Sequence, residues 1–393
     1  MTDLLLHRRS LSGLRLCLTL ALCALVAACG NKPREVEPTP LERFERGYSV
    51  SRDWHRYIGF GSRRRPLQLL PAVTEREVFV VDLYGRVRAL DRSSGDTLWR
   101  QRTGVRISTG VRAGYGRLLF GTRDGEAVAL SAEDGTELWR TQLSGELLSR
   151  PATDGELAIF QSQDGRIVAL NAEDGSLRWS FQVSVPVLSL RGLGEPLIDS
   201  TRVYAGTASG RVVALELITG LPLWERRVAE PSGRSELDRL VDIDGNLIIQ
   251  NGGLFVTTFQ GKVAVLDEET GRIYWDADMS SANRMTALAG VLFIADQDGV
   301  VHAIDQRSGN TVWKQEGLIA RRLTGTEIHA GLVVVADRQG YLHWLDPQTG
   351  AFVARRRHDP DGFAATPVAY GEVLYAVSAD GEVAAYRLKA LKP

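Results

Sequence analysis

The sequence predicts an all-β protein: an eight-bladed β-propeller of four-stranded antiparallel blades, with the last blade closed by the N-terminal strand. Three observations predict it. A motif with one glycine, a second glycine ten residues on and a tryptophan four after that recurs along nearly the whole chain. Its period is about forty residues, the length of one four-stranded blade. The last copy lacks its tryptophan strand, and an orphan tryptophan strand stands near the N-terminus.

The repeat is set by Gly85, Gly95 and Trp99 and recurs at Gly125/Gly135/Trp139, Gly165/Gly175/Trp179, Gly210/Gly220/Trp224, Gly261/Gly271/Trp275 and Gly299/Gly309/Trp313. The seventh copy, Gly340 and Gly350, has Ala354 where the tryptophan is expected, and the eighth starts at Gly381. Within a copy, apolar alternation is broken by Asp-Gly turns, as in Arg123-Asp124-Gly125 and Glu133-Asp134-Gly135, so short antiparallel strands are expected. No segment sustains a helical period. A single blade has two apolar faces and cannot bury both, so the copies must stack around an axis, with each tryptophan wedged between neighbouring blades. Trp344, out of register, reads as blade packing. The orphan strand Tyr48–His55 with Trp54 is expected to complete the eighth blade and leave no open seam.

The first 29 residues read as export and anchoring. Arg8, Arg9 and Arg15 precede the uncharged run Leu16–Ala28, too short for a membrane span of ~20 residues. The run ends Leu25-Val26-Ala27-Ala28-Cys29-Gly30, which resembles the bacterial lipobox. That resemblance implies that Cys29 is the first mature residue and carries the lipid, and that Gly30 rather than Asp directs the chain to the outer membrane. Several acyl chains anchor stably where one is marginal. The expected domains are a signal peptide at 1–28, a lipidated tether at 29–46 rich in proline and charge, and the propeller at 47–393.

Composition excludes several functions. The formal charge is −1, and removing three Arg and one Asp with residues 1–28 leaves 44 basic and 47 acidic residues, so no nucleic-acid partner is expected. All three cysteines, Cys17, Cys23 and Cys29, lie at the start, so no disulfide or Cys nucleophile exists downstream. The histidines His55, His302, His329, His343 and His358 have no metal-ligand spacing, and hydrolase and P-loop motifs are absent. Gly114–Gly121 runs into a strand rather than a helix, and Asp242–Asn246 lacks the ligands of a calcium loop. Arg63–Arg65 and Arg355–Arg357 read as solvated basic loops. No catalytic residue, metal or cofactor is expected.

Two repeat intervals are long, 45 residues before Gly210 and 51 before Gly261, against 38 to 41 elsewhere. The extra residues fall in Val183–Gly192 and Ser235–Asp244, both between a tryptophan strand and the next blade's inner strand. Such connections emerge on one face of a propeller, and these blades are neighbours, so the two loops are expected to form one patch. Its leucines, arginine and acidic residues suit an apolar anchor with a polar rim.

The A-L-D-x-x-[TS]-G-x-x-x-W repeat resembles the tryptophan motif of the eight-bladed quinoprotein dehydrogenases. With the lipobox and the two loops added, the chain from Cys29 onward resembles the BamB family, the lipoproteins of the bacterial β-barrel assembly machine. That resemblance implies a non-catalytic scaffold, docked on the periplasmic domain of a BamA-like barrel-forming subunit. It implies Leu188 and Leu190 as apolar anchors and Arg191 as the charged contact. Asp242 and Asp244 are implied either to orient Arg191 or to pair with partner cations. Unfolded outer-membrane proteins are a further implied partner, held by strand addition at a blade edge or on the opposite face. Two alternatives are a quinone-dependent dehydrogenase, which would need a vicinal cysteine pair that this chain lacks, and a generic envelope adaptor.

Overall fold

Alternating apolar residues and tight turns give each repeat four short antiparallel strands. In the computed structural model they form eight four-stranded sheets, with no helix among the described residues. The structure describes residues 36–63, 65, 67–186, 188, 192–232, 234–235 and 239–391. Blades are numbered from their inner strands: Ala72–Val73, Arg112–Gly114, Ala152–Thr153, Leu197–Asp199, Ile248–Gln250, Thr286–Leu288, Glu327–His329 and Val368–Tyr370.

Blade 3 shows why a blade needs neighbours. Its middle strands, Leu157–Gln161 and Arg166–Asn171, are almost wholly buried, while the outer strand Leu177–Gln182 is largely exposed. Side chains alternate across the sheet. Ile159, Ile167 and Ala169 pack with Val203 and Val213 of blade 4. Ala158, Phe160 and Val168 pack with Leu119 and Ala129 of blade 2. Both faces are therefore core, and neither is core without the adjacent blade.

The tryptophans do what the repeat predicts, and the structure adds the reason for the second glycine. Trp139 of blade 2 donates its indole N–H to the Ala172 carbonyl of blade 3 at 2.9 Å. Its ring fills the space above Gly175, where a β-carbon would lie 2.6 Å from the ring. Seven seams repeat this arrangement, from Trp54 on Gly95 to Trp313 on Gly350, with β-carbon clearances of 2.5–2.7 Å. The indole in each case reaches the carbonyl three residues before the glycine, as in Trp54 to Arg92 and Trp313 to Pro347.

The eighth seam, between blades 7 and 8, is built differently. The tryptophans of the other seams pair across to alanine, as Ala129 opposite Trp139 and Ala169 opposite Trp179, except Trp275, which faces Val265. In blade 7 the two residues are exchanged, with Trp344 opposite Ala354. Trp344 is fully buried and donates to His329 Nδ1 at 3.0 Å. The facing position in blade 8, ten residues after Gly381, is Leu391 rather than glycine. The indole and its glycine are thus missing from the same seam.

Ring closure follows the predicted route. Tyr48–Tyr57 pairs antiparallel with Glu382–Ala390, Tyr48 opposite Ala390 and Tyr57 opposite Glu382, and completes blade 8. Upstream of it, Thr39 donates to the Ile319 carbonyl at 3.0 Å, and Phe44 lies 5.7 Å from Phe352. Arg355, expected on a solvated loop, instead belongs to the outer strand Phe352–Arg357. Its guanidinium stacks over Phe44 and Phe352 at 4.8 and 4.9 Å and donates to the Glu42 carbonyl. Aromatic faces displace water from that cation.

Gly175 and Gly104 have nearly the same backbone, φ +72° and +75°, but nothing lies within 4 Å of a β-carbon at Gly104. Gly104→Ala is therefore expected to cost only the left-handed backbone penalty, ~1 kcal/mol. Gly175→Ala adds the clash with Trp139 and costs at least ~1–3 kcal/mol more. Chemical denaturation of both variants checks the difference.

Candidate functional site

The two enlarged connections lead from the outer strand of blade 3 to the inner strand of blade 4, and from blade 4 to blade 5. In the first, Val183 is tied to the Gly165 carbonyl at 2.8 Å, after which Val185 and Leu188 are exposed, at 37% and 41%. Leu190 and Arg191, like Cys29, lie outside the described residues. In the second, Leu240, Val241, Ile243 and Leu247 turn into the core, and the Ile243 side chain packs on Gly206, where a β-carbon would lie 2.3 Å away.

The loops meet. The Gly194 amide donates to the Ile243 carbonyl at 2.9 Å. Gly192 lies so close to the Asp244 carboxylate that a β-carbon would come within 2.9–3.0 Å of it. Only a residue without a side chain permits this approach. The first loop therefore descends onto the second immediately after the Leu188–Arg191 segment.

The aspartates are buried. Asp242 has no exposed surface, and its main-chain carbonyl accepts from the Phe259 amide at 2.8 Å. Asp244 is half-buried, and its Oδ1 has no hydrogen-bond partner among the described residues. Burial, reinforced by the negative charge of Asp242, pushes the Asp244 carboxyl up to about 7. Asp242 is buried and Asp244 half-buried, so neither carboxyl stands as an exposed rim charge.

Sequence reasoning missed Glu195, which fastens the far end of the first loop. Its carboxylate binds Arg284 of blade 6 at 2.6 Å, Arg150 of blade 3 at 2.9 Å and Arg112 of blade 2 at 3.2 Å. Burial alone would raise this carboxyl, but the three guanidiniums override it and hold it at about 2. A signal was present, because Arg150, Glu195 and Arg284 each stand fifteen residues before the first glycine of their repeat. Among the described residues, no group of three or more His, Cys, Asp or Glu side chains could hold a metal ion.

Fold and loops together define a propeller of the PQQ-like repeat type with one elaborated face. A solved quinohemoprotein alcohol dehydrogenase from Comamonas testosteroni shares the architecture at TM-score 0.70 and 15% identity, covering 90% of this chain and 79% of that one. At that identity the likeness is one of fold alone. The family model described as "Outer membrane protein assembly factor BamB" matches residues 83–315 and 297–391. The Pseudomonas aeruginosa protein of that name is 43% identical over 371 residues, spanning 94% of this chain and 98% of its own length. The crystal structure of BamB from Moraxella catarrhalis superposes at TM-score 0.78 with 28% identity, covering 86% of this chain and all of that one. The chain belongs to the BamB family.

Because Asp244 holds its proton in the fold to about pH 7 and would release it near 3.8 when unfolded, the unfolded state binds fewer protons between those values. Stability contributed by this group is therefore full below pH 4 and falls as pH rises to 7. Asp244→Asn is expected to remove that slope and to gain on the parent by an amount on the order of a few kcal/mol at pH 8. Denaturation curves at pH 5 and pH 8 measure it.

Proposed function

We propose that this chain is a non-catalytic scaffold of the outer-membrane β-barrel assembly machinery. It docks the periplasmic domain of the barrel-forming subunit through the face where the two enlarged loops meet. The observation that carries this reading is the loop junction itself. Gly192 and Gly194 lie against Asp244 and Ile243, while Val185 and Leu188 of the same loop stay exposed. A rigid base under exposed apolar side chains is the arrangement in which a few anchors carry most of the binding energy.

In this reading Leu188 and Leu190 enter an apolar pocket of the partner and Arg191 makes the charged contact. Asp242 and Asp244 hold the loop from beneath. Residues 1–28 are removed on export, Cys29 carries the lipid, and the propeller faces the periplasm from the outer membrane. Unfolded barrel proteins are received along exposed outer strands by strand addition.

The double variant Leu190→Ala, Arg191→Ala is expected to weaken capture of the barrel-forming subunit by at least ~2 kcal/mol, about thirtyfold. A pull-down from solubilised envelopes reads this, and undiminished capture removes the site assignment. Cys29→Ala is expected to move the protein from the membrane fraction to the soluble periplasmic fraction. Retention in the membrane would remove the lipid assignment.

A further inference from the structure

The Glu195 cluster lies in a cavity of about 410 Å³ lined by the segments that lead into the inner strands of seven of the eight blades, from Leu70 of blade 1 to Ala364 of blade 8. A cavity shared by that many blades sits on the axis of the ring. We propose that this axial cavity is a binding site for a small oxyanion ligand, one carrying carboxylate or phosphate groups.

The charge balance points there. Arg112, Arg150 and Arg284 share a single fully ionised carboxylate, and Glu195 takes one hydrogen bond from each. A guanidinium has five donors, so the cluster is far from satisfied by one acid. Asp244, which lines the cavity, and Glu327, which feels Arg284 and Arg150, compensate poorly. Burial raises Glu327 despite Arg284 and Arg150 nearby, and Asp244 is pushed up to about 7. Burial also pulls Arg150 down to about 10 in spite of Glu195, with Arg112 and Arg284 adding to the pull.

Hydrogen bonding agrees with charge. Arg150 Nε and Ser149 Oγ are buried without a hydrogen-bond partner among the described residues, and Ser149 lines the same cavity. Buried donors left unmade are costly, and buried cations in excess are costlier. A bound oxyanion answers both, since guanidiniums recognise carboxylate and phosphate oxygens through paired, charge-assisted bonds. The side chains of Arg112, Arg150, Arg284 and Glu195 keep exposures of 30%, 11%, 19% and 14%, so solvent reaches them along the axis. Glu195 occupies part of the site as an internal anion, and an entering ligand competes with it for the same donors.

Calorimetric titration of the full mature chain with inorganic phosphate, and separately with citrate, tests the site, with NaCl holding ionic strength constant. Saturable one-to-one binding of at least one anion is expected. The anion preferred identifies the group recognised. Arg284→Gln is expected to weaken binding about tenfold or more, and Glu195→Gln to strengthen it by a similar factor by removing the competing carboxylate. Absence of saturable binding in both the parent and Glu195→Gln overturns the proposal, as does unchanged affinity in folded Arg284→Gln. Should Arg284→Gln fail to fold, Glu195→Gln decides. Tighter binding than the parent supports the site. Equal or weaker binding identifies the cluster as a tie across the axis and nothing more.

Discussion

An indole seated in the space left by a glycine of the next blade is the contact on which the ring depends. It joins three demands in one place. The ring buries apolar surface, its N–H donates to a carbonyl of the next blade, and the glycine takes a backbone conformation costly for any other residue. Because the contact always runs from one blade to its successor, it also fixes the direction of stacking. Most middle-strand residues are apolar and buried, so this directional contact supplies register that burial alone does not.

The one seam without this contact shows the same rule from the other side. Trp344 and Ala354 have exchanged places across a strand pair, so the indole fills the interior of blade 7 instead of reaching into blade 8, and His329 becomes its acceptor. His329 Nε2 contacts the Glu372 carbonyl of blade 8 at 3.0 Å, so the histidine bridges the seam in the indole's place. Total volume across the pair is kept, as close packing requires.

Much of this was legible in the sequence because it is periodic. Blade number, strand order and closure by Tyr48–Tyr57 follow from spacings that repeat too often to be accidental. The exchange at blade 7 was legible only once strand pairing was known. The position four after the first glycine is alanine in six of the other seven repeats, from Ala89 to Ala385, and Val265 in the fifth, and its change to Trp344 compensates Ala354. The loops were legible as insertions but not as surfaces. Charge suggested that Asp242 and Asp244 face outward, whereas the apolar neighbours Val241 and Ile243 drag them inward. Glu195 and its arginines were invisible one at a time. A lone charge on a strand is ordinarily solvated, and only the ring brings equivalent positions of distant repeats to a common centre.

Closure by strands from opposite ends of the chain has a consequence for biogenesis. Blades 1 to 7 are each contiguous in sequence and can form as the polypeptide emerges. Blade 8 cannot, because its outermost strand appears first and its other three last. The early strand must stay unpaired until Glu382–Ala390 has been made, exposing Trp54 and a row of free amides and carbonyls. The interval before sealing is therefore when an open strand edge leaves the chain most exposed to wrong pairing.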